Sequence, residues 1–167
     1  MEAIQVIADL MQVTRQATLR VIDGLTQEEA KWRPAYGANP IGFILWHMVR
    51  TQDGFFHRGI TPGTQLWEKS GWHERFGLPL GDTGNSYTAE QVESFQVPPL
   101  DDLLAYMAEV QESALEIVRN LDSSRLLETP RTDRPDWTVL RYMRTSLTHE
   151  NQHTGAIEYL RGLAKSR

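Results

Sequence analysis

The stretch THENQHTGAIEYLRGL, residues 148–163, combines a helical period with two histidines four positions apart. Apolar residues recur in it at three- and four-residue intervals, and the pattern extends from about Asp136 to about Ala164. At about 100° per residue, both histidines lie on the apolar face of the predicted helix. That face contains Met143, Ser146, His149, Glu150, His153, Ile157 and Leu160. A long amphipathic helix is therefore predicted here, with imidazoles on the side that faces the core.

Three further amphipathic helices are predicted before it. The first extends from Glu2 to Leu25, and the second from Asn39-Pro40 through His57, with Asn39 as its N-cap. The third follows Pro98-Pro99 and continues to about Leu121, and Ser123-Ser124 is expected to cap a short turn after it. The apolar face of the first helix is expected to contain Ile4, Ile7, Leu10, Met11, Thr18, Val21, Ile22 and Leu25.

The segment between the second and third helices, residues 61–99, has a different composition. It is rich in glycine and proline up to Gly84, so we predict a long connection with helical turns near residues 67–75 and 88–95. A connection of this length usually covers or crosses over another element. We therefore expect one all-α domain over residues 1–167, a four-helix bundle with a long crossover between helices 2 and 3. The short link between helices 1 and 2 favours antiparallel neighbours.

Composition excludes several classes of function. The 167 residues include no cysteine, which removes disulfides, thiolate metal sites and a cysteine nucleophile. With 17 Lys+Arg against 22 Asp+Glu, the net charge is -5, whereas nucleic-acid binders need a basic face. No apolar run is long enough to cross a bilayer, and the N-terminal stretch does not resemble a signal peptide. A cytoplasmic protein without nucleic-acid or membrane partners is the expectation.

His149 and His153 have the spacing at which two ring nitrogens on one helix can reach a single ion. The alternative is a pair that bonds to backbone or water at the edge of the bundle. The letters H-E-x-x-H also match the zincin signature, in which Glu150 would be the general base and a third ligand follows. Glu158 is the only acid after His153 and lies on the same helix, which disfavours a metallopeptidase.

A third ligand decides between these interpretations, and His47 is the best candidate. It lies beside the apolar face of helix 2, so it can meet the other two histidines inside the bundle if helices 2 and 4 pack together. His57 at the end of helix 2 and His73 in the long connection are poorer candidates. Each is expected to be exposed or to make a local hydrogen bond.

The segments LWHMVRTQD (residues 45–53) and THENQHTGAIEYLRGL resemble the corresponding helices of the DinB-like (damage-inducible) four-helix metalloproteins. KWRP (31–34) and NPIGFILWHMV (39–49) fit as well, so the resemblance covers nearly the whole chain. It implies that His47, His149 and His153 bind one divalent metal ion. It also implies an up-down-down-up bundle, often a homodimer, and thiol-dependent S-transferase or isomerase chemistry with a low-molecular-weight thiol such as bacillithiol or mycothiol.

Three neutral imidazoles would leave a coordination position open, which is typical of catalytic rather than structural sites. Zinc is the expected ion, with nickel, iron and cobalt compatible with the same ligands. The leading hypothesis is a metal-dependent transferase that activates a small thiol. The alternatives are a non-catalytic metal- or ligand-binding stress protein and a small metal-dependent hydrolase. Glu150 is a candidate catalytic residue, and Arg50 and Tyr142 are candidate substrate-binding residues.

Overall fold

The computed structural model describes residues 3–166 as helices joined by turns and loops, with no β-strand in that range. Its α-helices are α1 (Ala3–Ile22), α2 (Gln27–Lys31), α3 (Ile41–Gly54), α4 (Leu66–Lys69), α5 (Trp72–Phe76), α6 (Ala89–Ser94), α7 (Leu100–Arg119) and α8 (Val139–Lys165). A π-helix, Phe55–Ile60, continues α3, and a 3-10 helix, Ser123–Leu127, follows α7. The predicted all-helical class is confirmed for these residues. The predicted first residue of helix 1, Glu2, lies outside them.

The N-cap of α3 lies one residue after the predicted one. Pro40 occupies the N-cap in extended conformation, and no side chain caps this end. The carbonyl of Pro40 accepts the first helical bond, from the Ile44 N–H at 3.1 Å. Asn39 is therefore not the cap, because Pro40 occupies that position.

The starts of the two helices after α7 also differ from the prediction. The 3-10 helix is capped by Asp122, whose carboxylate accepts the Ser124 N–H, rather than by the two serines. The last helix starts at Val139, not near Asp136, because the hydroxyl of Thr138 accepts the Arg141 N–H. Both changes follow the ordinary preference of Asp and Thr for N-caps.

The four long helices pack as a closed set in which each contacts two others. Helix α1 contacts α7 and α8, and α3 contacts the same two helices. The predicted helices 1 and 2 correspond to α1 and α3. The prediction that they are neighbours is therefore wrong, because α1 and α3 lie diagonally opposite each other in the bundle. Since α3 and α8 are in contact, the condition for His47 to meet the two histidines of α8 is fulfilled.

A layer of buried polar residues separates the apolar interior into two clusters. One cluster surrounds Phe43, Trp46 and Tyr106, and the other contains the N-terminal parts of α1 and α8 with the C-terminal part of α7. Between them lie the buried polar residues Thr14, Thr18, Gln52, Asp53, Gln111, Ser146, Glu150 and Thr154. Leu10, which was expected on the buried face of α1, is 48% exposed.

The long connection is fastened to α3 by Asp53, which is fully buried. Its carboxylate accepts the backbone N–H groups of Leu66 at 3.0 Å and Trp67 at 2.8 Å, and the Tyr106 hydroxyl at 2.7 Å. Burial raises the pKa of this carboxyl, but contacts with His57, Tyr106 and the Trp67 N–H outweigh burial and hold the pKa below its ordinary value. The predicted turns near 67–75 and 88–95 are confirmed as α4, α5 and α6.

Candidate metal centre

The structure brings His47 of α3 together with His149 and His153 of α8. The Nε2 atom of His149 lies 3.1 Å from Nε2 of His47 and 3.0 Å from Nε2 of His153. All three ligand atoms lie within 4.8 Å of one another. In a tetrahedral site with Zn–N bonds of about 2.05 Å, neighbouring nitrogens are about 3.3 Å apart. The three rings therefore have the spacing of ligands around one ion.

The backbone of the long connection fixes the orientation and tautomer of His47. Its Nδ1 lies 2.5 Å from the carbonyl oxygen of Thr83, which can only accept, so Nδ1 carries the proton. The Nε2 lone pair is then free to bind a cation. The Phe43 ring stacks on the His47 ring with an interplanar angle of 5°, which holds the imidazole plane.

The three nitrogens cannot satisfy one another through hydrogen bonds alone. A neutral imidazole nitrogen has either one proton or one lone pair, so Nε2 of His149 can bond to only one of its two neighbours. Protonating His149 or His153 is unfavourable: burial and the neighbouring imidazoles lower the pKa of His149 to about 3 and that of His153 to about 4. A shared cation resolves this conflict, so the residues present fit a divalent metal.

The Thr83 carbonyl is held in place by a tight turn at residues 82–84. The carboxylate of Asp82 accepts the Gly84 N–H at 3.1 Å and the Tyr87 hydroxyl. Gly84 has a φ of +75°, and a Cβ there would lie 2.8 Å from Trp46 and 2.9 Å from Phe43. The turn therefore needs glycine both for its left-handed backbone and for its close approach to the rings of α3.

Arg50 lies one turn after His47 and is only 1% exposed. Its guanidinium donates to the carbonyls of Asp82 and Leu80, to the Gln65 side chain and, at 3.5 Å, to Asp53. It also lies over the Trp67 ring, 4.5 Å from the centroid. Arg50 thus ties the long connection to α3 on the side where Thr83 contacts His47.

The Glu150 carboxylate faces the polar layer between the helices. It accepts hydrogen bonds from Gln111 at 3.1 Å and from Gln52 and Thr18 at 3.4 Å. Burial raises its pKa to about 7, although the bonds from Thr18 and Gln111 act in the opposite direction. Among the described residues no hydrogen bond joins this carboxylate to the three imidazoles, so the polar contacts of Glu150 are with α1, α3 and α7.

The two remaining histidines have other surroundings. Nδ1 of His57 lies 2.9 Å from a carboxylate oxygen of Asp53, and its Nε2 lies 2.7 Å from the Ser113 hydroxyl. His73 packs near the Trp67 ring, with centroids 6.4 Å apart. Within residues 3–166, the group of His47, His149 and His153 is the only cluster of His, Asp or Glu with metal-binding spacing.

A cavity of about 550 Å³ adjoins the metal centre and has His149 in its wall. Tyr142 also lines it, as do residues of the π-helix and of the loop before α8. Four arginines contribute to the wall: Arg50, Arg58, Arg131 and Arg134. Of these, only Arg50 was singled out from the sequence.

Sequence reasoning missed the Thr83 carbonyl and the cavity arginines of the loop before α8. The sequence contains one indication of the turn, the run Asp82-Thr83-Gly84, in which Asp and Gly are typical turn residues. A backbone carbonyl has no residue-type signature, so its contact with His47 depends on the tertiary fold.

The chain matches the DinB superfamily over residues 10–157. A crystal structure of a conserved protein from Enterococcus faecalis superposes with a TM-score of 0.84 at 19% sequence identity, covering 100% of this chain and 99% of that one. That likeness shows the fold alone. A search among curated proteins gave no match. No helix in the part of the chain that the structure describes has the length and apolar character needed to traverse a bilayer.

Proposed function

Since this chain belongs to the DinB superfamily, as its sequence indicated, we propose that it binds one divalent metal ion through Nε2 of His47, His149 and His153. The observation that carries this proposal is the convergence of three ring nitrogens at 3.0 and 3.1 Å. Zinc is the ion we expect, because imidazole ligands and a compact arrangement suit it. Nickel, iron and cobalt are compatible with the same donors.

We propose that the reaction is transfer of a low-molecular-weight thiol to a small electrophile. When bound, an ion with three neutral ligands supplies uncompensated positive charge and an open position, where a thiol ionises readily. In the proposed transfer, the sulfur of the ionised thiol would form a bond to an electrophilic carbon, the leaving group would depart with its electron pair, and the thiol proton would go to solvent. The absence of cysteine from the 167 residues fits a thiol that is supplied as a cosubstrate.

The surrounding residues position the ligands and the reactants. Thr83 and Arg50 keep His47 in the tautomer that binds metal, and Arg50 also forms part of the cavity wall. Tyr142 also lines the cavity and is the better candidate to touch substrate. Glu150 anchors α8 through its bonds to the neighbouring helices, so we propose a positioning role for it rather than direct contact with reactants.

We further propose an up-down-down-up order of the four long helices in a single domain. Contacts whose residue numbers rise together support parallel pairs: Thr18 with Thr154, Val21 with Arg161, Asp53 with Tyr106 and His57 with Ser113. A homodimer in the cytoplasm is the accompanying proposal. The exposed apolar residues Val6, Leu10 and Val13 on α1 are the surface to test by light scattering.

Metal content is the first test of this function. Untagged protein, purified without a nickel column, is analysed by mass spectrometry for bound metals beside the variants His47→Ala and His73→Ala. We expect about one ion per chain in the wild type and in the His73→Ala control, and loss of the ion from His47→Ala. Full occupancy in His47→Ala would refute the ligand set.

Thiol depletion is the second test. The loaded protein is mixed with a chromogenic aryl halide and each member of a panel of small thiols, and free thiol is measured over time. Turnover that disappears in His47→Ala supports the transferase. No metal-dependent loss of any thiol, with the ion still bound, would favour a non-catalytic binding protein.

A further inference from the structure

The cavity beside the metal centre carries an excess of positive charge. Four arginines and one acid, Asp133, lie in its wall. This is the reverse of the whole chain, whose net charge is -5. A concave site with one sign of charge concentrates ligands of the opposite sign.

Only part of this positive charge is compensated within the described protein. Arg50 forms an ion pair with Asp53, and Arg131 donates two hydrogen bonds to the Asp133 carboxylate, at 2.9 and 2.6 Å. No ion pair is found for Arg58 or Arg134 in residues 3–166. Asp133 is therefore already engaged by Arg131, and within the described residues Arg58 and Arg134 have no carboxylate at ion-pair distance.

Tyr142, which belongs to the same wall, has a buried hydroxyl. Tyr142 is 2% exposed, and its hydroxyl oxygen makes no hydrogen bond within the described residues. The ring is fixed by Phe55 and Trp137 at centroid distances of 5.7 and 4.8 Å and by Gly59, where a Cβ would lie 2.7 Å from the ring. Buried donors without partners are rare. Because Tyr142 lines the cavity, a bound ligand group that accepts a hydrogen bond would satisfy this hydroxyl.

We propose that this cavity binds a small-molecule anion that carries a carboxylate or a phosphate. The Tyr142 hydroxyl donates to one anionic oxygen, and Arg58 and Arg134 supply the matching charge. The volume of about 550 Å³ is in the range of small-ligand sites. Because His149 lies in the same wall, the anion is one of the two reactants of the metal centre, a step that rests on the proposed function.

Calorimetric titration of the metal-free protein tests the binding itself. The probes are succinate, inorganic phosphate and succinamide, the last having the carbon chain of succinate without its charge. We expect saturable binding of succinate or phosphate, weakened by added salt, and none of succinamide. Which of the two anions binds more tightly identifies the ligand as a carboxylate or a phosphate.

Matched variants assign the binding to these residues. Arg58→Gln combined with Arg134→Gln and, separately, Tyr142→Phe should each weaken binding of the preferred anion by about tenfold or more. Arg20→Gln, an exposed arginine of α1 outside the cavity, should leave it unchanged. Equal binding of succinamide, no saturable binding of either anion, or an equal loss in Arg20→Gln would overturn the proposal. Metal content, measured separately, shows whether the metal centre stands regardless.

Discussion

Substitution of Gly84 by alanine tests whether the long connection controls the metal centre. A Cβ at this position would lie 2.8 and 2.9 Å from ring atoms of Trp46 and Phe43. Those rings are buried at 0% and 3% exposure and cannot move aside. The turn must move instead, which withdraws the Thr83 carbonyl from Nδ1 of His47.

The magnitude follows from two separate costs. Alanine in the left-handed region costs about 1–2 kcal/mol, and forcing extra volume against a packed core adds about 1–3 kcal/mol. Loss of the hydrogen bond that orients a metal-binding histidine typically lowers metal affinity about 10–100-fold. We therefore expect Gly84→Ala to destabilise the fold by about 2–5 kcal/mol and to weaken zinc binding by one to two orders of magnitude.

Gly77→Ala is the matched control for backbone strain. Gly77 has a φ of +65°, but a Cβ there would meet no atom within 4 Å. The Gly77→Ala variant should lose only about 1–2 kcal/mol of stability and keep the zinc affinity of the wild type. Zinc affinity is measured by competition with a chromogenic chelator and stability by urea unfolding of the metal-free proteins. Wild-type zinc affinity in Gly84→Ala would refute the coupling between the turn and His47.

Three further predictions concern the interior and the cavity. Asp53→Asn should lower stability by about 3–5 kcal/mol, roughly 10 °C in Tm, since it removes one member of a buried charged network, whereas the exposed Asp9→Asn should have little effect. The folded-state pKa of Asp53 lies below its ordinary value of 3.8. The extra stability of the wild type over Asp53→Asn is therefore present above pH 3.8 and is lost as pH falls through the folded-state pKa. A series of unfolding experiments from pH 7 downwards checks this. Zinc at about a hundredfold excess over Kd should stabilise the wild type by about 2.7 kcal/mol but not His153→Ala, as thermal scans will show. Gly59→Ala should displace Tyr142 and reduce binding of the preferred anion in titrations while mass spectrometry still finds the metal.

The closeness of His149 and His153 was predictable because both residues lie on one helix. Helical geometry fixes the relation of His149 to His153 whatever the tertiary fold does. His47 required one more assumption, that its helix packs against α8, and the structure fulfils it. Local periodicity therefore predicted both histidine-bearing helices, and their packing against each other brings the three rings together.

Features that depend on packing could not be read in this way. The pattern of helix 1 placed Leu10 with the buried residues. Residues at the edge of an apolar helix face are exposed or covered according to what packs beside them, and Leu10 is exposed. Antiparallel neighbours were expected from the short link between helices 1 and 2, yet a short link also permits a diagonal crossing. Two of the cavity arginines, Arg131 and Arg134, come from a loop whose position depends on where α8 begins, and Thr138 sets that start.

The buried polar layer explains why His47 on α3 meets His149 and His153 on α8. A shift of α8 by one residue along its neighbours would rotate its side chains by about 100° and separate His149 from His47. Apolar side chains tolerate such shifts better than hydrogen-bonded ones, because an unpaired buried carboxylate or amide is costly. Glu150, next to His149, is bonded to Gln52 on α3 and to Gln111 on α7, and Thr154, next to His153, is bonded to Thr18 on α1. Each histidine of the candidate site on α8 thus has as its neighbour in sequence a polar residue that fixes the register of the helix, so the convergence of the three rings is specified from inside the fold.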